Sequence, residues 1–150
     1  MTNVKFDPSG KAEIFLENIV SALHEGAKSL LLLACECNGF TKSQLDSGLM
    51  ALSRPVFGGI FPGIIFERKH YEKGSLVVPL PFDVRVANVP SSADAAFSEL
   101  LTPYAEQLSS CPTALVFFDG SMESVSAFLD SVYDLLGTET KYLGGGAGSS

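Results

Sequence analysis

Two short apolar runs constrain this chain more than any other feature of its sequence. One covers residues 30–34, Leu-Leu-Leu-Leu-Ala, and the other covers residues 113–118, Thr-Ala-Leu-Val-Phe-Phe. Each run is too short for a buried helix and lacks the polar alternation of a half-exposed strand. Both runs therefore predict strands that are buried on both faces.

The segments that follow the two runs match each other in order. Each half reads strand, polar loop, helix, strand and double glycine. The aligned pairs are residues 31–37 with 115–121, residues 45–47 with 129–131 and, after an insertion of two residues, residues 56–59 with 142–145. Identical residues are few, so chance agreement is the alternative to an internal repeat. In a repeat, each half is a strand–helix–strand unit, which is right-handed in nearly all proteins.

Capping residues predict where the first helices begin. The segment Asp7-Pro8-Ser9-Gly10 closes an amino-terminal arm, residues 1–10, and starts a helix that runs over residues 11 to about 26. Thr41 and Gln44 have the spacing of a capping box, which predicts a second helix ending near residue 52.

Two further helices are predicted in the second half. Ser91 with Asp94 resembles a helix cap, and the helix continues to about residue 108 with Pro103 kinking or breaking it. Asp119-Gly120-Ser121 forms a loop and cap before a helix over residues 122–136.

The middle of the chain predicts three strands joined by short turns, over residues 63–71, 75–80 and 84–89. Glu72-Lys73-Gly74 would make the first hairpin turn. The expected fold is α/β: a mixed sheet built from two strand–helix–strand halves with an antiparallel middle segment, and helices packed on the sheet. Residues 11–150 are expected to form a single domain.

Composition excludes several classes of partner. The net charge is −7 and neither Lys nor Arg clusters, which argues against nucleic acid and anionic membrane surfaces. No apolar run approaches the length that spans a bilayer, and the polar amino terminus lacks the apolar segment of a signal peptide. The three cysteines are an odd number at uneven spacing, so we expect no disulfide framework and a reducing cytoplasm.

The candidate ligand site follows from topology. Open α/β sheets bind ligands at the carboxyl ends of their parallel strands, so the loops and glycines that end the four repeat strands are expected to share one sheet edge. Helices starting near Thr41 and Ser121 would point free N–H groups there and favour a carboxylate. The predicted ligand-binding residues are Cys35, Asn38, Gly58, Gly59, Phe61, Gly63, Asp119, Gly120, Ser121, Gly144, Gly145 and Gly146.

Two of these features carry a structural alternative. The double glycine Gly58-Gly59 is either a tight turn or a ligand-facing stretch of bare backbone. Asp119 is either a cap or a contact for a ligand amine, and the two roles are compatible.

Motifs for cofactors and catalysis fail on inspection. The glycine-rich stretch from Gly144 lacks the lysine of a phosphate loop, and Ser149 stands where the dinucleotide fingerprint needs glycine or alanine. Cys35 and Cys37 have no histidine at metal-ligand spacing. We therefore expect no cofactor, no metal and no catalytic residue. For Cys37 as a nucleophile, the only candidate base is His70, and only folding could bring the two residues together.

Three segments resemble the FIST sensory domain in its amino-terminal part. Residues 55–64 are similar to the family's P-x-x-G-x-x-x-x-G segment, residues 115–120 to its apolar strand followed by Asp-Gly, and residues 142–148 to its G-G-x-A-G segment. The three segments occur in the family's order, and the resemblance covers roughly residues 28–150.

The resemblance implies a cytoplasmic input module of bacterial signalling proteins, with a relative attached to F-box proteins in eukaryotes. Such modules are proposed to bind small ligands such as amino acids, and the family carries over no catalytic residue. The family domain extends past its G-G-x-A-G segment and is usually followed by a second domain. We therefore expect this chain to be a fragment that ends before its pocket is complete.

Three functions remain open on the sequence. The first is a sensory module without turnover for a small ligand, such as an amino acid or another small carboxylate, that reports to a downstream signalling protein or a missing carboxyl-terminal domain. The second is a protein–protein interaction scaffold. The third is a cysteine-dependent enzyme using Cys35 or Cys37. Uncovered strand edges also predict self-association.

Overall fold

The computed structural model of the protein describes residues 3–90 and 96–147. Its strands are β1 (Lys5–Asp7), β2 (Ser29–Cys35), β3 (Val56–Phe61), β4 (Ile64–Phe66), β5 (Lys69–Tyr71), β6 (Ser75–Leu80), β7 (Thr113–Asp119) and β8 (Lys141–Ala147). Its α-helices are α1 (Ala12–His24), α2 (Lys42–Met50), α3 (Phe97–Leu101), α4 (Ala105–Leu108) and α5 (Val125–Leu136). These elements divide into two compact units, unit 1 within residues 1–86 and unit 2 within residues 87–147.

A four-stranded mixed sheet of order β1-β6-β2-β3 forms unit 1. The first apolar run, β2, lies in its interior, parallel to β3 on one side and antiparallel to β6 on the other. Residues of the expected amino-terminal arm contribute β1, which pairs antiparallel with β6. The α/β class and the mixed sheet predicted from the sequence are confirmed.

Each face of this sheet has its own apolar cluster. Phe15 and Ile19 of α1 are buried with Leu30 of β2 and Val77 of β6, and apolar residues of α2 pack against the same cluster. On the other face a second buried cluster joins β2, β4 and β6. Both faces of β2 are therefore covered, as the unbroken apolar run requires.

The predicted capping box is present at the start of α2. The Thr41 N–H donates to Oε1 of Gln44 across 2.9 Å. Reciprocal capping of this kind satisfies backbone donors that have no partner inside the helix. The helix ends at Met50, two residues before the predicted end.

The middle segment differs from the prediction in its turns. The hairpin pairs β4 with β5, and its two turn residues, Glu67 and Arg68, both adopt positive φ, 47° and 67°. A two-residue hairpin turn needs this backbone conformation, which usually selects asparagine, aspartate or glycine. Neither Glu67 nor Arg68 is a residue type that favours positive φ. The prediction that Glu72-Lys73-Gly74 forms the hairpin turn was therefore wrong. Residues 84–89, predicted as a strand, contain no strand.

A two-stranded parallel sheet, β7 with β8, forms the core of unit 2. Helix α5 lies between these strands in sequence and contacts β8 through Tyr133 and Tyr142, whose ring centroids are 5.5 Å apart. The rings of Phe97 and Phe128 join α3 to α5 at 5.4 Å. As predicted, Pro103 interrupts its helix, because a short 3-10 turn separates α3 from α4. The cap predicted from Ser91 and Asp94 lies outside the described residues.

The internal repeat is confirmed by the pairing registers. In unit 1, Leu32 of β2 lies opposite Gly58 of β3. In unit 2, Val116 of β7 lies opposite Gly144 of β8. These are the partners that the sequence alignment places at equivalent positions. The two strand–helix–strand segments therefore share one register along their whole parallel ladders.

The double glycines sit inside the second strand of each half, and the prediction that they follow it was wrong. Gly58 and Gly144 have nearly equal φ values, 145° and 140°, and a Cβ built on either would collide with the opposing carbonyl group of Leu32 or Val116. In both halves that Cβ would also stand 2.7 Å from the carbonyl carbon. Only glycine allows the neighbouring backbones to approach so closely.

Two further expectations are corrected by the topology. The described strands of the two halves belong to different sheets, so the four repeat strands do not end on one shared edge. Strand patterns fix burial and register, but they do not specify which more distant strands become neighbours. The last long helix begins at Val125 with Ser124 as its cap, so Ser121 does not start it.

We predict that Gly144→Ala destabilises unit 2 by at least about 2 kcal/mol, because alanine pays for the positive φ and meets the β7 backbone. Gly145→Ala is the matched control: it lies next in the same strand, and its added Cβ would meet no atom within 4 Å. Its effect should stay within about 1 kcal/mol. Urea unfolding followed by circular dichroism measures both, and equal losses would contradict the strand-contact role of Gly144.

Candidate functional site

The last residue of β2, Cys35, has a buried thiol. Cys35 is 1% exposed, its N–H donates to the carbonyl of Gly74 across 2.9 Å, and its Sγ lies 3.3 Å from the carbonyl oxygen of Tyr71. Burial raises the pKa of the Cys35 thiol, because removal from water disfavours the thiolate. The side chain therefore packs as a small apolar residue with a weak donor.

Asn38 follows in the short 3-10 turn after β2 and holds that turn against the start of β6. Its Nδ2 donates to the carbonyl of Gly74 across 2.7 Å, and its Oδ1 accepts the N–H of the same residue across 2.8 Å. Both ends of the amide are thus bonded to one peptide segment. This pair of hydrogen bonds was not predictable, because Gly74 lies 36 residues away in sequence.

A buried carboxylate that sequence reasoning saw only as a helix-start signal lies beside this turn. Asp7, at the end of β1, accepts hydrogen bonds from the N–H and hydroxyl groups of Ser9 and from the N–H of Gly10. Opposite Asp7 in the ladder, Ser75 is fully buried, and its hydroxyl has no hydrogen-bond partner among the residues that the structure describes. The signal for the Asp7 turn was present in Asp7-Pro8-Ser9-Gly10, whose small and turn-forming residues favour such local bonds.

The remaining predicted residues of unit 1 are placed by strand pairing. Gly58 and Gly59 lie opposite Leu32 and Leu33 within the ladder of β2 and β3. Phe61 ends β3 and lies opposite Cys35, so those two predicted residues are brought together. Gly63 lies under the imidazole of His70, which a Cβ at that position would meet.

In unit 2 four of the predicted residues, Asp119, Gly120, Ser121 and Gly146, lie at or next to the carboxyl ends of β7 and β8, whereas Gly144 and Gly145 lie within the ladder. Asp119 ends β7, and its Oδ1 accepts the Ser121 N–H across 2.9 Å and the Ser121 hydroxyl across 2.7 Å. These hydrogen bonds hold the pKa of the Asp119 carboxyl below its usual range, since they favour the charged form. Asp119, Gly120 and Ser121 are all exposed, so this carboxylate faces solvent.

Glycines without side chains, Gly120 and Gly146, lie next to the Asp119 loop and the end of β8. Gly120 N–H donates to the carbonyl oxygen of Ala147 across 2.6 Å, which ties the loop after β7 to the end of β8. A Cβ on Gly146 would lie 3.3 Å from the Cα of Gly120, so the two glycines allow the strand end and the loop to lie close together. Gly145 has open space around its Cα, and Gly144 is committed to the contact with β7.

The twelve predicted residues thus form two groups, one in each unit. The group in unit 1, from Cys35 to Gly63, is largely engaged in packing and backbone hydrogen bonds. The group in unit 2, from Asp119 to Gly146, offers an exposed, ionised carboxylate beside uncovered backbone. Within residues 3–90 and 96–147, no three His, Cys, Asp or Glu side chains are grouped so that they would hold a metal ion.

The parts of the chain that the structure describes include no helix with both the length and the hydropathy needed to cross a bilayer. The described cysteines, Cys35, Cys37 and Cys111, are all free thiols. Cys37 is exposed, whereas Cys35 is buried.

One known protein family matches most of the chain. The FIST N domain family matches residues 29–150, from the first residue of β2 through the second half of the repeat. The chain therefore belongs to the FIST N domain family, a family of sensory domains, which points to a role in signal input. No curated protein and no solved structure matches the chain.

We predict that iodoacetamide alkylates Cys37 at least about a hundredfold faster than Cys35 in the folded protein, because the reagent reaches the exposed thiol without a local opening of the structure. Mass spectrometry of timed digests measures both rates, and the urea-unfolded chain, in which the two rates should converge, is the control. Comparable rates in the folded protein would contradict the packing role of Cys35.

Proposed function

We propose that this chain is a non-catalytic sensory module that binds a small amino acid or a related carboxylate in the cytoplasm. Membership of a sensory family supports the input role. The observation that carries the ligand class is Asp119, an exposed carboxylate at the carboxyl end of a parallel strand pair, where α/β proteins bind their ligands.

The geometry around Asp119 suits an ammonium group. Ser121 supplies both hydrogen bonds to Oδ1, which fixes the orientation of the carboxylate and keeps it ionised. A charged acceptor held in this way forms a stronger hydrogen bond with a cationic donor than a neutral acceptor does. Asp119 therefore supplies the contact for the amine of the ligand.

The carboxylate of the ligand would be met by backbone donors. The Gly120 N–H already donates to Ala147, so these donors lie further along the chain. Past this loop, α5 begins at Val125, and the unpaired N–H groups of its first turn favour a negative charge. An amine contact and an anion contact in one loop region match the two charged groups of an amino acid.

The absence of catalysis is supported by the state of the cysteines. Cys35 is buried and burial raises its pKa, which opposes the thiolate that a nucleophile needs. His70, the proposed base for Cys37, lies in the β4–β5 hairpin with its ring against Gly63. Free thiols at all three cysteines also support a reducing compartment.

A protein-interaction role is the second candidate, and exposed apolar side chains of unit 2 favour it. Leu143 of β8 is 63% exposed and its neighbour across the ladder, Leu115 of β7, is 40% exposed. A sensory module must also pass its signal on, so the two roles are compatible.

We predict that Asp119→Asn weakens amino acid binding by about tenfold or more, since it removes the charge that pairs with the ammonium group. Isothermal titration of an amino acid panel against the wild type identifies the ligand, and the variant is then titrated with it. Asp130→Asn is the matched control, because it makes the same charge change at an exposed position of α5. Equal affinities for the three proteins, or no binding by the wild type, would contradict the proposal.

The pH dependence of binding has a defined sign. A carboxyl group with a lowered folded-state pKa keeps its charge as pH falls through the usual range of aspartate. The contribution of Asp119 should therefore be complete above that range and disappear only as pH falls through the lowered pKa. Titrations between about pH 7 and about pH 3 measure it, with Ser121→Ala as the comparison: losing Ser121's hydroxyl should shift the loss of binding to higher pH.

A further inference from the structure

An asparagine that precedes a glycine is chemically labile, and the sequence contains this pair once, at Asn38-Gly39. The backbone nitrogen of the following residue attacks the side-chain amide carbon, and only glycine presents that nitrogen without a side chain beside it. The other asparagines, Asn3, Asn18 and Asn88, precede valine or isoleucine, whose branched side chains hinder the attack. In the unfolded chain, Asn38 is therefore the asparagine at which this reaction is fastest.

In the folded protein the amide of Asn38 is held by its two hydrogen bonds to Gly74, which together we call the clamp. Nδ2 donates to the Gly74 carbonyl oxygen across 2.7 Å, and Oδ1 accepts the Gly74 N–H across 2.8 Å. The attacking atom is also engaged, because the Gly39 N–H donates to the carbonyl of Glu36 across 2.9 Å. The reaction therefore requires this part of unit 1 to open.

The clamp lies against the turn that follows β1. A Cβ added to Gly10 would collide with Oδ1 of Asn38, and the Gly10 N–H donates to the buried carboxylate of Asp7 across 3.1 Å. Only one glycine thus separates the amide of Asn38 from a buried negative charge. A second negative charge at position 38 would be repelled there.

We propose that Asn38 is a site of spontaneous deamidation and that opening of the clamp sets the rate of the reaction. The Gly39 nitrogen forms a bond to Cγ of Asn38, the bond from Cγ to Nδ2 breaks, and the amide leaves as ammonia with the proton of the Gly39 N–H. Water then opens the resulting succinimide ring at either carbonyl, which gives aspartate or isoaspartate. The reaction consumes nothing besides water.

The product cannot remake the clamp. Aspartate at position 38 still accepts the Gly74 N–H, but its second oxygen faces the Gly74 carbonyl oxygen, where Nδ2 donated a hydrogen bond. The same carbonyl accepts the N–H of Cys35, so the change reaches the end of β2. Residues 1–86 carry nine Lys and Arg against nine Asp and Glu, and residues 148–150 carry none, so deamidation makes a neutral unit 1 anionic. Opening of unit 1 at this point is thereby recorded covalently.

The first experiment follows every asparagine of the complete chain in mildly alkaline buffer. Timed digests are analysed by mass spectrometry, with synthetic aspartate and isoaspartate peptides as standards. Asn38 should convert while Asn18 and Asn88 stay intact, and its rate in the folded protein should be about ten to a thousand times lower than in the urea-unfolded chain, as expected for a local opening. Equal rates in the two states, or no conversion of Asn38 in the folded protein, would overturn the proposal.

Gly10→Ala tests the clamp itself, because the added methyl group displaces the Asn38 amide. Gly26→Ala is the matched control: the two glycines have φ values of 64° and 93°, so both variants carry backbone strain, but a Cβ on Gly26 meets no atom within 4 Å. Deamidation should be at least about fivefold faster in Gly10→Ala than in Gly26→Ala. Equal acceleration would show that the chain opens globally, which contradicts control by the clamp.

Asn38→Asp makes the product directly and tests its consequence even if Gly10→Ala fails to fold. Loss of the clamp should increase alkylation of Cys35 by iodoacetamide at least about tenfold over the wild type. Asn88→Asp introduces the same charge at an exposed position and should leave the rate at Cys35 unchanged. Unchanged protection of Cys35 in Asn38→Asp would contradict the release of the strand end.

Discussion

The close contact between neighbouring backbones at Gly58 and Gly144 is the constraint on which both halves of this protein depend. Each glycine lies opposite a residue of the apolar strand that begins its half, in a conformation that other residues avoid, with no space for a Cβ. The contact fixes the register of the parallel ladder, and the register in turn fixes which strand ends lie together. The loop at Asp119 is placed beside the end of β8 by this chain of constraints.

Local patterns in the sequence predicted the parts of the fold that depend on local physics. The apolar runs gave β2 and β7, the Thr41–Gln44 spacing gave the start of α2, and the repeat gave equal registers. Asp119 was also predicted as a candidate site residue, because it follows an apolar strand at the end where open α/β sheets bind ligands. Its pairing with Ser121 needs only neighbours in sequence, which is why it was accessible.

Features set by distant contacts were not predictable in the same way. The amide of Asn38 is bonded to Gly74, and nothing local to either residue indicates the other. The glycine pairs were predicted to lie in loops, because backbone without side chains suits a turn. Only the opposing strand shows that Gly58 and Gly144 allow two strands to pack closely. The Glu67-Arg68 turn was missed since neither residue type favours positive φ, so pairing of β4 with β5 must stabilise it.

The net charge is distributed unequally between the two units: unit 1 is neutral and unit 2 carries −7. Acidification removes negative charge from both units. The positive charges that remain are nine Lys and Arg in unit 1 and one in unit 2. Acidification therefore makes unit 1 cationic, while unit 2 remains anionic until nearly all of its own carboxylates are neutral. Over that interval the two units carry net charges of opposite sign.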